Sequence, residues 1–303
     1  MKHLLGICDL KKQDIQTLLD HAQHYAQALE SGSWDQTRLR GKIILHLFFE
    51  NSTRTLTSFE MAAKRLGAEV INWNKDTSSL KKGESFMDTI DTLDAMRPDA
   101  IVLRHSEFGA PNYVAKRMHC PVINGGDSWR EHPTQALLDA LTMRQHFGTL
   151  DGLVVAIVGD IAHSRVAASN MGLLTKMGAE VRVIAPDELM PEKLAAKNVA
   201  TFTALDEGLK NADVVMSIRP QKERMDKVLI NDSNYFRDYG LTHERLGIAK
   251  KSVIVLDPGP FIRGLQISDA LADDPQIFLY AKQVFNGIPT RMAVLDLLLG
   301  GKS

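Results

Sequence analysis

From Gly41 onward, short apolar segments of β-rich composition alternate with amphipathic segments of helical period. The first four apolar segments predict strands at 43–49, 68–73, 100–103 and 121–124. The segments after them predict helices at 52–66, 84–96, 111–118 and 133–147. Strands that alternate with helices in this way are typical of a parallel α/β sheet with helices on its faces.

A turn-rich segment at 148–152 interrupts this pattern, and the alternation then starts again. It predicts strands at 153–158, 180–185, 213–218 and 252–256, and a helix at 164–177. A chain of 303 residues is long enough for two ordinary domains, so we predict two α/β domains of similar size. The last segment, 277–299, is helical in pattern apart from a turn at 286–289, and we expect it to return to the first domain.

Charge and composition exclude several classes of function. The chain has 36 Lys and Arg residues against 37 Asp and Glu residues, which gives a formal net charge of −1. This balance argues against a protein that coats nucleic acid or an anionic membrane, but it leaves local cationic sites open. The longest apolar runs are far shorter than the roughly 20 residues that cross a bilayer, and the first residues show no signal-peptide pattern. We expect a cytoplasmic protein.

The two cysteines, Cys8 and Cys120, lie far apart in the chain. Zinc sites usually contain closely spaced Cys or His pairs, and disulfide-stapled secreted domains contain more cysteines. We therefore expect two buried thiols and no metal site. A P-loop and a dinucleotide fingerprint are also missing from the sequence, which argues against nucleotide binding.

A candidate anion site lies where the first predicted strand ends and a helix begins, at Ser52, Thr53, Arg54 and Thr55. Ser52 is placed to cap this helix, and the free N–H groups of the first turn, aided by the helix dipole, favour an anion. The arginine adds the forked donor geometry that phosphate accepts well. An ordinary capped helix with an exposed arginine is the alternative, but the position after a buried strand favours phosphate.

Two further candidates lie at the ends of strands in the first half. Arg104 follows the third predicted strand, where open α/β sheets place ligands. His132 precedes Pro133, which suits the first position of a helix, and Gln135 lies within that helix. A histidine there can donate to a developing oxyanion, and a glutamine can bind an amide-like group. The alternative is a helix cap followed by an exposed polar residue.

The remaining candidates are cationic. The loop at 77–84 contains two lysines and a glycine, which suits either a mobile lid or a solvated surface turn. In the second half, Arg165 follows the strand at 153–158, and Arg219 with Gln221 follows the strand at 213–218. Two arginines suit a ligand with two carboxylates, whereas surface salt bridges are the alternative.

These motifs together are characteristic. In chain order they are Phe-Phe-Glu-Asn-Ser-Thr-Arg-Thr, Ser-Ser-Leu-Lys-Lys-Gly-Glu, Arg-His, His-Pro-Thr-Gln, Val-Gly-Asp with Ser-Arg-Val, and Arg-Pro-Gln-Lys-Glu-Arg-Met. The set closely resembles the aspartate/ornithine carbamoyltransferase family over nearly the whole chain, and the last motif resembles its aspartate branch. The resemblance implies two Rossmann-like domains. Residues 1–148, with a C-terminal helix at about 287–303, would bind carbamoyl phosphate, and residues 149–286 would bind aspartate.

The resemblance also implies an activity: transfer of the carbamoyl group of carbamoyl phosphate to the amine of L-aspartate, in pyrimidine biosynthesis, with no cofactor. By analogy, the phosphate is held by Ser52, Thr53, Arg54, Thr55 and Arg104. Thr55, Arg104 and His132 would polarise the carbonyl group, and Gln135 would bind the amino group. The aspartate would be bound by Lys82, Arg165, Arg219 and Gln221. Ser79 and Lys82 would reach the active site of a neighbouring subunit in a homotrimer.

Three positions depart from the family pattern. Leu56 and Ala168 stand where an arginine is common, and Asp257 stands where the second domain usually has the histidine of His-Pro-x-Pro. Two other functions remain open. One is a carbamoyltransferase for another amine such as ornithine, although two arginines suit an ammonium group poorly. The other is a non-catalytic family member that acts as a partner chain. A regulatory chain or another pathway enzyme would be a further partner.

Overall fold

The structure, a computed structural model, describes residues 1–73, 82–225 and 230–300. It forms two compact units: unit 1 comprises Met1–Leu141 with Phe285–Ser303, and unit 2 comprises Thr142–Val284. The helices are α1 (Lys12–Ser31), α2 (Arg54–Arg65), α3 (Phe86–Ala95), α4 (Ala110–Ala115), α5 (Pro133–Phe147), α6 (Arg165–Met177), α7 (Leu205–Leu209), α8 (Asp232–Tyr239), α9 (His243–Leu246), α10 (Asp269–Ala272) and α11 (Tyr280–Leu299). The strands are β1 (Ile43–Phe48), β2 (Glu69–Trp73), β3 (Ala100–His105), β4 (Val122–Asp127), β5 (Val154–Gly159), β6 (Glu180–Ile184), β7 (Val199–Phe202), β8 (Val214–Ile218) and β9 (Ile254–Leu256).

Unit 1 contains a parallel sheet with strand order β2-β1-β3-β4. The strands β2 and β3 lie on opposite sides of β1, so the strand order reverses between β1 and β3. At the carboxyl end of this pair, Phe48 lies opposite Arg104. Ligands of open α/β sheets bind outside such a reversal, which places the first candidate site at this edge.

Unit 2 contains a parallel sheet with strand order β7-β6-β5-β8-β9, and its order reverses between β5 and β8. At the carboxyl end of this pair, Gly159 lies opposite Ile218. Gly159 has a φ of 126°, and an added Cβ would lie 1.8 Å from the carbonyl oxygen of Ile218. Only glycine fits this position, because it tolerates a positive φ and brings no side chain.

The predicted fold class is confirmed. The strands β5, β8 and β9 are buried along almost their whole length, as expected for a parallel sheet covered by helices on both faces. Six of the elements given above were not predicted from the sequence: the amphipathic helix α1, the short helices α7, α8, α9 and α10, and β7, a short edge strand whose middle residues are exposed. An edge strand of four residues carries too little apolar patterning to be recognised.

The C-terminal helix α11 continues through Pro289, so the predicted turn at 286–289 is wrong. A proline inside a helix removes one hydrogen bond, but the apolar residues from Met292 to Leu295 are fully buried and hold the helix in place. As predicted, the end of this helix packs on the first domain. There Asp296 accepts hydrogen bonds from Tyr25 Oη at 2.9 Å and from Arg38 Nε at 2.5 Å.

In the part of the chain that the structure describes, no helix combines the length and the apolar character needed to cross a membrane.

His46 is a buried titratable group in the middle of β1. Its Nδ1 lies 3.0 Å from Asn72 Oδ1 on β2, and its ring packs edge-on near Phe48 and Phe59. Burial lowers the pKa of His46 to about 4, and the contact with Asn72 opposes this shift only in part. The folded state therefore keeps this imidazole neutral, whereas the unfolded chain protonates it near pH 6.5.

We expect the stability contributed by a neutral His46 to be complete above about pH 6.5 and to be lost as the pH falls towards 4. The total loss should approach about 3 kcal/mol, from about 1.4 kcal/mol per pKa unit. Urea unfolding of His46→Gln across this range should give a smaller dependence of the free energy of unfolding on pH than the wild type gives. The exposed His24→Gln variant serves as the control, and equal slopes for His46→Gln and the wild type would contradict the prediction.

Candidate active site

The first candidate site surrounds the N-terminus of α2, just after β1. The helix begins at Arg54, so the predicted start at Ser52 is wrong. Thr53 is the N-cap residue, and its side chain makes no capping hydrogen bond. Ser52 Oγ lies 3.5 Å from Arg104 Nη1, a long hydrogen bond. The first-turn N–H groups of a helix have no intrahelical partner, so this uncapped end suits an anion.

Two guanidinium groups stand at this edge of unit 1. Arg104 is the fifth residue of β3 and is mostly buried, and its Nε lies 3.4 Å from Glu50 Oε2. Arg54 is exposed at the start of α2. A buried arginine held by a carboxylate has a fixed orientation, whereas an exposed one can adapt to a ligand.

Thr55 and His132 meet in the interior of unit 1. Thr55 Oγ1 lies 3.1 Å from His132 Nε2, and both residues are buried. The backbone carbonyl of His132 accepts hydrogen bonds from the N–H groups of Gln135 and Ala136, so His132 is the residue directly before α5 and caps its first turn. This arrangement joins the first turns of two helices through a hydroxyl and an imidazole, the donor pair expected beside a developing oxyanion.

Gln135 is buried rather than exposed, so the surface alternative for this residue is wrong. Its Nε2 donates to Asp139 Oδ1 at 2.9 Å, one turn further along α5.

The fully buried Arg291 stacks 5.1 Å above the Phe59 ring, and its Nη1 donates to the Gly287 carbonyl at 3.0 Å. Burial lowers the pKa of Arg291 to about 9, and the charge of Asp139 opposes this shift.

Asp139 and Arg291 were not among the residues selected from the sequence. The spacing of four residues between Gln135 and Asp139 places both on one face of a helix, which is the signal that would have indicated Asp139. Arg291 has no comparable local signal, because its burial depends on how α11 packs.

In unit 2, Asp160 connects the segments that follow β5 and β8. Its Oδ1 accepts hydrogen bonds from the backbone N–H and the Nδ1 of His163 at 3.0 and 2.8 Å. Its Oδ2 accepts from the backbone N–H of Gln221 at 2.9 Å. The side chain of Gln221 then donates to the His163 carbonyl at 3.0 Å, so this buried carboxylate fixes the predicted ligand residue Gln221.

The two predicted arginines of unit 2 lie at the same reversal of the sheet. Arg165 is buried at the start of α6, directly after the Ser164 cap. Arg219 follows β8, and both terminal nitrogens of its guanidinium donate to Glu223. Nη1 lies 3.0 Å from Glu223 Oε2, and Nη2 contacts Oε1. This hydrogen-bonded partner raises the pKa of Arg219. In this structure Arg219 is paired with Glu223, which holds its guanidinium in one orientation.

A cavity of about 370 Å³ opens beside Arg219 in unit 2. One side is formed by residues after β8, including Pro220 and Glu223, and the other by Ile262, Arg263 and Leu265, which follow β9. Its lining combines charged side chains of both signs, namely Arg219, Lys222, Glu223, Asp232 and Arg263, with the apolar Pro220, Ile262 and Leu265.

The other sequence candidates have different surroundings. Lys82 is exposed, and Ser79 lies outside the described residues. Cys120 is buried, but Cys8 is exposed, so the prediction of two buried thiols is wrong for Cys8. Within the described ranges, no group of three or more His, Cys, Asp or Glu side chains could hold a metal ion.

We expect inorganic phosphate to bind unit 1, and Arg104→Gln to weaken this binding about tenfold or more. A hydrogen bond to a charged group is worth about 1.5–3 kcal/mol, and the substitution removes the charge. Isothermal titration of both proteins with phosphate measures the change. Arg117→Gln removes an exposed arginine that pairs with Asp91 on the surface, and should leave the affinity unchanged. Equal phosphate affinities for Arg104→Gln and the wild type would count against the site.

Comparisons with known proteins identify the family. Residues 2–145 match the family model for the carbamoyl-P binding domain of aspartate/ornithine carbamoyltransferase. Residues 151–298 match the model for the Asp/Orn binding domain. The chain is 50% identical over 302 residues to the aspartate carbamoyltransferase catalytic subunit of Granulibacter bethesdensis, covering 99% of this chain and 96% of the relative.

Two solved structures illustrate the structural likeness. Aspartate transcarbamoylase from Trypanosoma cruzi, in complex with carbamoyl phosphate and aspartate, has a TM-score of 0.86 at 32% identity, and the match covers 97% of this chain and 94% of that one. Ornithine carbamoyltransferase from Pyrococcus furiosus has a TM-score of 0.91 at 29% identity, and the match covers 100% and 98%. The fold is thus shared by enzymes with different acceptors, and fold similarity alone does not identify the acceptor.

Proposed function

The chain belongs to the aspartate/ornithine carbamoyltransferase family, and on that premise we propose that it transfers the carbamoyl group of carbamoyl phosphate to L-aspartate. The products are N-carbamoyl-L-aspartate and phosphate, and the reaction is a step of pyrimidine biosynthesis. The observation that carries this assignment is the pair of arginines, Arg165 and Arg219, that follow β5 and β8 in unit 2. They suit an acceptor with two carboxylates, in agreement with the 50% identity to an aspartate carbamoyltransferase.

Unit 1 binds carbamoyl phosphate in this proposal. The uncapped first turn of α2 receives the phosphate, together with the side chains of Ser52, Thr53, Arg54 and Arg104. Gln135 keeps its amide oriented through Asp139, so its carbonyl oxygen is positioned to accept from the carbamoyl NH₂ group. The buried location of this hydrogen bond makes it strong enough to fix the orientation.

The chemical step is the attack of the neutral aspartate amine on the carbonyl carbon. A C–N bond forms, the carbonyl oxygen becomes an oxyanion, and Thr55, Arg104 and His132 donate to it. The C–O bond to phosphate then breaks, and the leaving phosphate accepts the proton that the nitrogen gives up. Fixed charges and aimed donors supply most of the acceleration, since they need no reorganisation as the oxyanion forms.

Unit 2 binds the acceptor in this proposal. Arg165 and Arg219 take the two carboxylates of aspartate, and Gln221, fixed by Asp160, adds a polar contact. Ornithine carries an ammonium group on its side chain, and two arginines would repel it. Ornithine remains the acceptor to compare, because the fold also matches an ornithine carbamoyltransferase.

The proposal extends to the oligomeric state of the chain. We propose a homotrimer in which Ser79 and Lys82 act in the active site of a neighbouring subunit. The exposure of Lys82 and the description of the relatives as catalytic subunits support it. The relatives' description also leaves room for a regulatory chain. A cytoplasmic location is proposed as well, in agreement with the low number of cysteines, two in 303 residues.

The assignment is tested with purified protein, carbamoyl phosphate and either aspartate or ornithine. We expect carbamoylated aspartate and little carbamoylated ornithine, measured by mass spectrometry of the products. Turnover with ornithine and none with aspartate would overturn the assignment. Inactivity with both acceptors would favour a non-catalytic partner chain.

Arg54→Ala should lower kcat by about 100- to 1000-fold, the cost of removing one donor from developing negative charge. Steady-state kinetics with aspartate measure the change. Arg117→Ala, which removes a surface arginine, is the matched control and should retain full activity. A kcat within about threefold of the wild type for Arg54→Ala would contradict the proposed role of Arg54.

Shared active sites predict complementation between inactive chains. When Lys82→Ala and Arg54→Ala chains are mixed and reassembled, some mixed trimers contain a site with both residues intact. Activity should then rise above that of either variant alone. Mixed trimers confirmed by native mass spectrometry that show no recovery would argue against sharing.

A further inference from the structure

The loop after β9 is held closed by two buried side chains, Asp257 and Gln266. Asp257 Oδ1 accepts a hydrogen bond from the Gly259 N–H at 2.7 Å, and its Oδ2 accepts from Gln266 Nε2 at 2.8 Å. Gln266 Oε1 accepts from the Ile262 N–H at 3.2 Å. Each of the two side chains is only 2% exposed. The pair therefore joins the two ends of the loop, and its side chains hold the backbone N–H groups of Gly259 and Ile262 between them.

The polarity of this pair is fully determined. A carboxylate only accepts hydrogen bonds, and the Ile262 N–H only donates, so Gln266 must present its NH₂ group to Asp257 and its oxygen to Ile262. The backbone N–H of Asp257 donates to Gln283 Oε1 at 2.9 Å, which ties the start of the loop to α11. A buried network with every member satisfied is rigid.

This loop forms one wall of the cavity beside Arg219. Ile262, Arg263 and Leu265 line that cavity from the side of β9, and Arg219 lines it from the side of β8. The two strands are neighbours, with Met216 opposite Leu256. The position of the loop therefore sets the width of the cavity.

We propose that Asp257 and Gln266 are positioning residues that hold the 257–266 loop as the wall of the aspartate pocket. They set the affinity for aspartate without touching it, and this role rests on the function proposed above. Asp257 takes the place of the histidine common in the family, and the geometry explains why a carboxylate works here: it is paired with a glutamine that matches it.

The test exchanges the hydrogen-bond donor and acceptor between positions 257 and 266. Asp257→Asn places an NH₂ group against the NH₂ of Gln266, and turning the Gln266 amide over would only move the clash to the Ile262 N–H. Gln266→Glu places two carboxylates against each other. The double variant Asp257→Asn with Gln266→Glu restores one donor against one acceptor, keeps an acceptor for Ile262, and keeps the net charge.

We expect each single variant to raise the KM for aspartate about tenfold or more, with the KM for carbamoyl phosphate nearly unchanged. The double variant should return to within about threefold of the wild type. Asp213→Asn is the matched control. Asp213 is also a buried carboxylate of unit 2, paired with Lys250, but it precedes β8 at the opposite edge of the sheet. This variant should lower the thermal midpoint and leave the KM for aspartate unchanged.

Three outcomes would overturn the proposal: single variants with the wild-type KM for aspartate, equal changes in both KM values, or a double variant no better than the single ones. Amide hydrogen exchange provides a readout that is independent of activity. The Gly259 and Ile262 amides should be protected in the wild type and the double variant and exposed in the single variants. If the wild type does not carbamoylate aspartate, the proposed function fails. Equal protection of these amides in all four proteins would instead show that Asp257 and Gln266 do not hold the loop.

Discussion

Parallel pairing of β1 with β3, and of β5 with β8, is the constraint on which the rest of the structure depends. In each unit the chain leaves the first strand of the pair on one side and reaches the second on the other, so the two carboxyl ends stand together without a covering connection. Ser52 and Arg104 meet at one such edge, and Asp160 and Gln221 at the other. The side chains at these ends are therefore brought together by the backbone pairing of the strands that they follow or end.

Buried aspartates stabilise the segments that follow the strands. Asp127 ends β4 and accepts from the Gly109 N–H at 2.8 Å. Asp160 follows β5 and organises two segments, and Asp257 follows β9 and closes its own loop. A carboxylate that accepts several N–H groups satisfies donors that would otherwise be buried without partners. In both units, buried aspartates at or just after the ends of strands thus accept hydrogen bonds from the backbone of neighbouring segments.

The sequence predicted the features that depend on local patterns. Strands buried on both faces leave continuous apolar runs, and a proline after His132 indicates a helix entrance. The sequence did not predict which hydrogen-bond partner each polar group has. Arg219 contacts Glu223, and Gln135 contacts Asp139, each across four residues of the chain, so the spacing was visible in the sequence. The burial of Gln135 and Asp139 was not, because it depends on tertiary packing. The continuation of α11 through Pro289 has the same cause, since burial of the helix outweighs one lost hydrogen bond.

Gly159 restricts how a chain of this kind can acquire a new acceptor. Its backbone lies so close to the Ile218 carbonyl that no side chain can be added at the end of β5. Gly159 cannot be substituted, so changes to the pocket must come from the segments after β8 and β9, which line the cavity. A set of variants made to accept new substrates should therefore vary positions 219–223 and 262–265 and keep Gly159 unchanged.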